Sequence, residues 1–299
     1  MSRPSGWLDV REKGGALGIR FVVWLCTAFG RAAARAIVGG VALYYVAVHG
    51  QVRRASRDFL ARVGAPARFR DAYQHILRFS HCALDRFFFL RGQHEHFVVE
   101  SHGNELLLEA RAAGRGAILL GAHLGSFEAM RMSAVRREYP INIVGFSGNA
   151  RMINAALRRL NPAAQARVVE IDPENVDFVL ALREMIERGE FVAILGDRAL
   201  PGARTAVVDF LGGRARLPVG PYILASLLRC PVFLTFGLYR EPNRYDLHCE
   251  LFADSVRLER RDRDASLAAY AASYALRLEH YARSAPDNWF NFYDFWESP

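Results

Sequence analysis

At 299 residues the chain is long enough for one large α/β domain, or for one domain with an appendage, and for a substantial core. Its 39 Lys and Arg against 31 Asp and Glu give a formal net charge of +8, carried almost wholly by arginine because Lys13 is the sole lysine. That balance favours anionic partners such as phospholipid head groups, phosphorylated substrates or an acidic carrier protein, while the lack of a recognisable binding motif or long basic tail argues against nucleic acid.

In chain order, residues 1–15 read as a loose end without a convincing cleavable signal. Residues 16–50 are apolar, aromatic and small, but Arg20, Arg31 and Arg35 leave no uncharged run of the roughly 18–20 residues that a simple spanning helix needs. At about 100° per residue, Lys13, Arg20, Arg31, Arg35 and Arg53 share a sector of roughly 60°, the pattern of an amphipathic helix with a cationic stripe lying in a membrane interface. Glycines 30, 39 and 40 are expected to break it, giving pieces near 16–30 and 32–48. Residues 16–65 are thus read as a helical membrane-attaching region, with an α/β domain over 66–299.

Helices are expected at 51–63, inside the membrane-attaching region, and at 66–90, the latter ending in the aromatic cluster Phe87-Phe-Phe-Leu90, which reads more as core than as lipid contact. Strands are expected at 97–100, 116–122, 141–146, 167–171 and 191–195, and helices at 104–113, from Ser126 to about Glu138, at 149–160, 174–188 and 265–284. A hairpin is expected over 231–239 and 246–252 around Glu241-Pro-Asn243, after a helix introduced by Leu217-Pro-Val-Gly-Pro221. Strands alternating with helices predict a largely parallel central sheet flanked by helices. The scattered Cys26, Cys82, Cys230 and Cys249 read as reduced, buried thiols, and His94-Glu-His96 lacks the further ligands of a metal site, so no metal is expected.

The stretch Gly116-Ala-Ile-Leu-Leu-Gly-Ala-His123-Leu-Gly-Ser-Phe-Glu128 carries the chemistry. A continuously apolar run bounded by glycines is a buried strand, and His123 stands at its mouth; Ser126 is placed to cap the next helix, with Glu128 in its first turn. Glu128 is then expected to accept a hydrogen bond from one imidazole nitrogen while the other deprotonates a hydroxyl. No Gly-x-Ser-x-Gly elbow supplies a protein nucleophile, and Gly145-Phe-Ser-Gly148 has the wrong spacing, so the hydroxyl belongs to the substrate. Gly196-Asp-Arg198 follows a second buried strand; Arg198 is a candidate for binding phosphate or orienting a thioester carbonyl, and Asp197 for holding a backbone turn or that arginine. Gly125, Ser126, Arg151 and Asn154 complete the substrate-binding candidates.

The His123-x4-Glu128 block resembles that of the lipid A biosynthesis (late) acyltransferases, and Gly196-Asp-Arg198, Phe210-Leu-Gly-Gly213, Leu217-Pro-Val-Gly-Pro221 and Pro286-Asp-Asn-Trp-Phe-Asn-Phe-Tyr-Asp-Phe-Trp296 follow in the same order. The resemblance implies a glycerolipid acyltransferase-like α/β fold, an acyl carrier protein or coenzyme A thioester as donor, and no other cofactor. It further implies a lipid or glycolipid acceptor and attachment to the cytoplasmic face of the inner membrane. The Gly-Ser-Phe-Glu form of the block and Tyr239-Arg-Glu-Pro-Asn-Arg-Tyr245 look most like a branch found with aryl polyene clusters, which would make the acceptor an aryl polyene lipid. A hydrolase in which His123 activates water, and a non-catalytic lipid- or carrier-binding membrane protein, are the competing readings.

Overall fold

The computed structural model describes residues 16–137, 139–145, 167–170, 177–200 and 202–296. They divide into two units, one holding the described residues up to Phe97 together with 285–295, the other those between Val98 and Ser284 together with Trp296.

The first unit is helical. Its α1 (Ala16–Val48), α2 (Gly50–Arg62) and α3 (Phe69–Leu90) pack on one another. Within α1 the backbone departs from helical geometry at Gly30, with φ 74° and ψ −174°, a conformation that glycine alone adopts without a Cβ penalty. The expected break is therefore at Gly30, while Gly39 and Gly40 remain inside the helix. Val23–Val48 is long and apolar enough to cross a membrane, by length and composition, with Arg31 and Arg35 as its only charges. The single cationic stripe needs correction. Arg31 turns inward and grips the fully buried Asp85 with two hydrogen bonds of 2.8 Å, because a buried carboxylate must be paired. Arg53 donates instead to the carbonyls of Val46 and Ala47 at the end of α1.

The terminal aromatics also belong to this unit. Trp289 is buried against Phe59, and its carbonyl meets the Nε2 of His75 at 2.9 Å, while the Nδ1 of His75 meets the Ser56 hydroxyl at 2.9 Å. So α3 and residues 285–295, which the sequence reading places in the α/β domain, are core of the helical unit. Burial holds His75 down at about 4. The unfolded chain takes up this proton below about pH 6.5, whereas the folded one resists until about pH 4, so stability is full above 6.5 and is lost by about 3 kcal/mol as pH falls across that window. Urea unfolding at pH 7 and pH 4.5 should show this loss in the wild type and a smaller one in His75→Gln; equal pH dependence in the two would remove the assignment.

The second unit runs β1 (Val98–His102), α4 (Asn104–Ala112), β2 (Ala117–Gly121), α5 (Phe127–Arg136), β3 (Ile141–Gly145), β4 (Arg167–Glu170), α6 (Asp177–Glu187) and β5 (Phe191–Leu195). It continues through β6 (Thr205–Phe210), β7 (Gly213–Pro218), α7 (Gly220–Leu228), β8 (Val232–Arg240), β9 (Arg244–Ala253) and α8 (Arg263–Ser284). Among the described residues, seven strands form one sheet in the order β1-β9-β8-β2-β5-β3-β4. Every pairing is parallel except β8 with β9, so β1 and β9 run against the other five. All five residues of β2 are buried, as are four of the five in β5, which explains their unbroken apolar sequence at the centre of a sheet covered by helices. Pro221 stands in the first turn of α7, as the prolines of that block predict.

The β6–β7 hairpin is the element that the sequence reading omits. Its turn is Leu211-Gly212, both at positive φ (50° and 70°), the requirement of a two-residue hairpin turn, and the leucine disguises it. Trp296 closes over this hairpin, its indole N–H donating to the Phe210 carbonyl at 2.9 Å. The helix expected at 149–160 lies outside the described residues.

Candidate active site

His123 and Asp197 meet because their strands do. β2 and β5 are parallel neighbours in the register Gly121↔Leu195, and each residue stands two positions past its member of that pair. The Gly196 N–H donates to the Gly121 carbonyl at 2.9 Å, extending the ladder, and the Tyr274 hydroxyl donates to the same carbonyl at 2.8 Å. A Cβ at Gly196 would lie 2.7 Å from Leu120 Cδ1, so the strand end accepts only glycine without rearrangement.

Asp197 uses both oxygens on one residue. Oδ1 lies 2.9 Å from His123 Nδ1, and Oδ2 accepts the His123 backbone N–H at 3.0 Å. Asp197 is fully buried, whereas a third of the His123 side chain, 34%, remains open. A carboxylate on Nδ1 fixes the tautomer with its proton there and leaves the lone pair on Nε2, the form a general base requires. Burial alone would raise the Asp197 carboxyl, but the charge and hydrogen bonds of His123, with the charge of Arg198, outweigh it and hold Asp197 well below the usual range.

Asp197 therefore sits where Glu128 was expected. Glu128 does fall in the first turn of α5 and is buried, but it is paired with Arg131 three residues on. Ser126 caps α5 as expected, its Oγ accepting the Ala129 N–H at 3.1 Å. Gly125 has φ +71°, and a Cβ there would lie 1.9 Å from the Gly237 carbonyl oxygen. This close approach lets the Ser126 N–H donate to that oxygen at 2.7 Å and clamps the loop bearing His123 onto β8. Arg198 is half-buried beside the dyad; Arg151 and Asn154 lie outside the described residues.

Burial and then the Arg198 charge push the His123 imidazole below its ordinary value, against the opposing pull of Asp197. His123 must be neutral to act as a base, so the acidic limb of kcat/KM should lie below about pH 6.5. Removing the cation in Arg198→Gln stabilises the imidazolium and should move that limb to higher pH. A pH–rate profile of the two proteins checks this, and a limb moving to lower pH would contradict it.

No cysteine thiol competes as nucleophile near this strand end: burial pushes Cys230 up to about 11 and Cys249 up to about 12. His94-Glu-His96 forms a single 3-10 turn. A grouping that the sequence reading missed is Glu100, His102 and Asp246, whose ligand atoms lie within 4.8 Å of one another across paired β1 and β9. Arg244 bridges both carboxylates at 2.7 Å and Arg240 holds Asp246 at 2.6 Å, so this corner is neutralised by guanidinium groups. Beside α5 an apolar pocket is lined by Leu107, Leu119, Phe127, Met130, Ile141 and Leu247.

Compared with known proteins, residues 11–298 match the family of bacterial lipid A biosynthesis acyltransferases. A comparison with curated proteins finds no match.

Proposed function

We propose, on the premise that this chain belongs to the family of bacterial lipid A biosynthesis acyltransferases, that it moves an acyl group from a thioester to a hydroxyl of a membrane lipid or glycolipid by general-base catalysis at His123. The observation that carries this reading is the doubly hydrogen-bonded Asp197, which presents His123 Nε2 at an open strand end. Nε2 takes the proton of the acceptor hydroxyl as its oxygen attacks the thioester carbonyl. The C–S bond breaks, and the proton passes from the imidazolium to the departing thiolate. Asp197 is the positioning residue throughout, holding the ring and stabilising its transient charge. Arg198 is suited to orient the donor's carbonyl or phosphate. The apolar pocket beside α5 supports placing the acyl chain there, since Phe127 follows His123 by only four residues.

The helical unit is the membrane attachment, on the cytoplasmic face of the inner membrane, where an acyl carrier protein or coenzyme A thioester is available. Trp24, Phe29, Val41, Tyr44 and Val48 of α1 are more than half exposed, apolar surface that a lipid phase would cover. The test incubates purified protein with the same acyl chain on acyl carrier protein and on coenzyme A, together with a lipid extract from cells lacking the gene. Mass spectrometry then identifies the product. An acylated lipid supports transfer and its mass names the acceptor, a lipid A precursor or an aryl polyene lipid; release of free fatty acid alone would make the protein a hydrolase and overturn the reading.

A further inference from the structure

α8 packs on the sheet where the strand ends bear the dyad. Its Tyr274, Arg277 and Tyr281 follow one another by single helical turns along one face. Arg277 grips Glu250 of β9 with two hydrogen bonds of 2.7 and 2.6 Å, and the Tyr281 hydroxyl donates to the same carboxylate at 3.1 Å. Glu279 of the same helix accepts the Leu211 N–H at the β6–β7 turn, at 2.7 Å. The helix is thereby pinned both to the sheet and to the hairpin, and Tyr274 is held in place one turn before these contacts.

Tyr274 is fully buried, and its hydroxyl donates to the Gly121 carbonyl at 2.8 Å. The Gly196 N–H donates to that oxygen as well, at 2.9 Å. One acceptor therefore joins α8 to the end of β2, two residues before His123, and to the end of β5, one residue before Asp197. The ring comes this close because Gly196 has no side chain: a Cβ there would press on Leu120 Cδ1 at 2.7 Å and stand 3.4 Å from Tyr274 Cζ. Burial, and then the charge of Asp197, hold the phenol well above its ordinary value, so the hydroxyl keeps its proton and remains a donor.

We infer that Tyr274 is a positioning residue for the dyad: through the Gly121 carbonyl it fixes the end of β2 against the end of β5, and so sets the separation of His123 Nδ1 from Asp197 Oδ1. Its effect on rate rests on the acyl-transfer reading; its effect on the imidazole rests on the hydrogen bonds alone. Tyr222 of α7 supplies the contrast. It is also buried, with its ring centroid 5.9 Å from that of Tyr270, but its hydroxyl has no hydrogen-bond partner among the described residues.

The experiment compares full-length Tyr274→Phe and Tyr222→Phe with wild type in two measurements, steady-state acyl transfer and proton NMR of the His123 Nδ1–H. Tyr274→Phe keeps the ring, and the Gly121 carbonyl keeps its bond from Gly196, so no buried polar group is orphaned and the fold is retained, which circular dichroism verifies. It should lower kcat about tenfold, the worth of one hydrogen bond. KM for the thioester should stay as in wild type, because a fully buried side chain touches no substrate. The Nδ1–H resonance should move upfield as the bond to Asp197 lengthens. Tyr222→Phe should leave both readouts unchanged. A wild-type kcat or an unmoved resonance in Tyr274→Phe would overturn the inference. So would equal changes in Tyr222→Phe, which would mark a general loosening of the aromatic layer. Should wild type itself form no acylated lipid, the acyl-transfer reading fails, and the resonance alone decides the role of Tyr274.

Discussion

Asp197→Asn should lower kcat/KM for acyl transfer by about 10³-fold or more while leaving the protein folded. The size follows from the way Asp197 is used. One of its oxygens accepts the His123 backbone N–H at 3.0 Å, and an asparagine in its place must keep its only carbonyl oxygen there. Its NH₂ group then faces Nδ1, where the carboxylate had accepted at 2.9 Å. A donor at Nδ1 forces the proton onto Nε2, and the base loses the lone pair that takes the substrate proton. The check is steady-state kinetics joined to nitrogen NMR of the imidazole, which should report an Nε2–H tautomer in the variant and Nδ1–H in the wild type. Glu128→Gln, whose carboxylate pairs with Arg131, should leave the tautomer unchanged. A tautomer that switches in Glu128→Gln and not in Asp197→Asn would reverse the roles assigned to the two acids.

Gly125→Ala should be nearly as damaging, through the backbone. Its φ of +71° already disfavours any side chain, and the added Cβ would stand 1.9 Å from the carbonyl oxygen of Gly237, a backbone atom that cannot turn aside. Moving that oxygen breaks the 2.7 Å hydrogen bond from the Ser126 N–H and unclamps the loop on which His123 stands. We expect a loss of about 3 kcal/mol or more in urea unfolding and a fall in activity of about 10²-fold from the displaced imidazole. Wild-type stability together with wild-type activity would show that the close approach is not required.

What was legible in the sequence is what local pattern can encode. The central strands stood out because burial on both faces leaves no polar alternation, and the Ser126 cap and the break at Gly30 each depend on a single residue's own chemistry. The helical unit's membership was not legible, since α3 joins α1 through contacts such as Arg31 with Asp85, 54 residues apart. The same holds for the dyad. Glu128 is five residues from His123 and has the right chemistry, but the acid on Nδ1 comes from 74 residues away through the parallel pairing of β2 with β5. The available signal was positional: each residue follows a buried strand at a glycine-bearing end, and neighbouring strands in a parallel sheet bring such ends together. The β6–β7 turn escaped because Leu211 occupies a positive-φ position where Asn or Gly is the usual marker.

The most direct measurement of the central claim is acyl transfer by purified His123→Ala protein beside wild type, with one acyl thioester and one lipid acceptor, counting acylated lipid and free thiol together. Removing a general base costs about 10²–10⁴-fold in rate. A loss of that order is expected in both products, with circular dichroism and membrane attachment unchanged, because His123 lies in the α/β unit and not in the helical one. A His123→Ala protein that forms acylated lipid at the wild-type rate would contradict it.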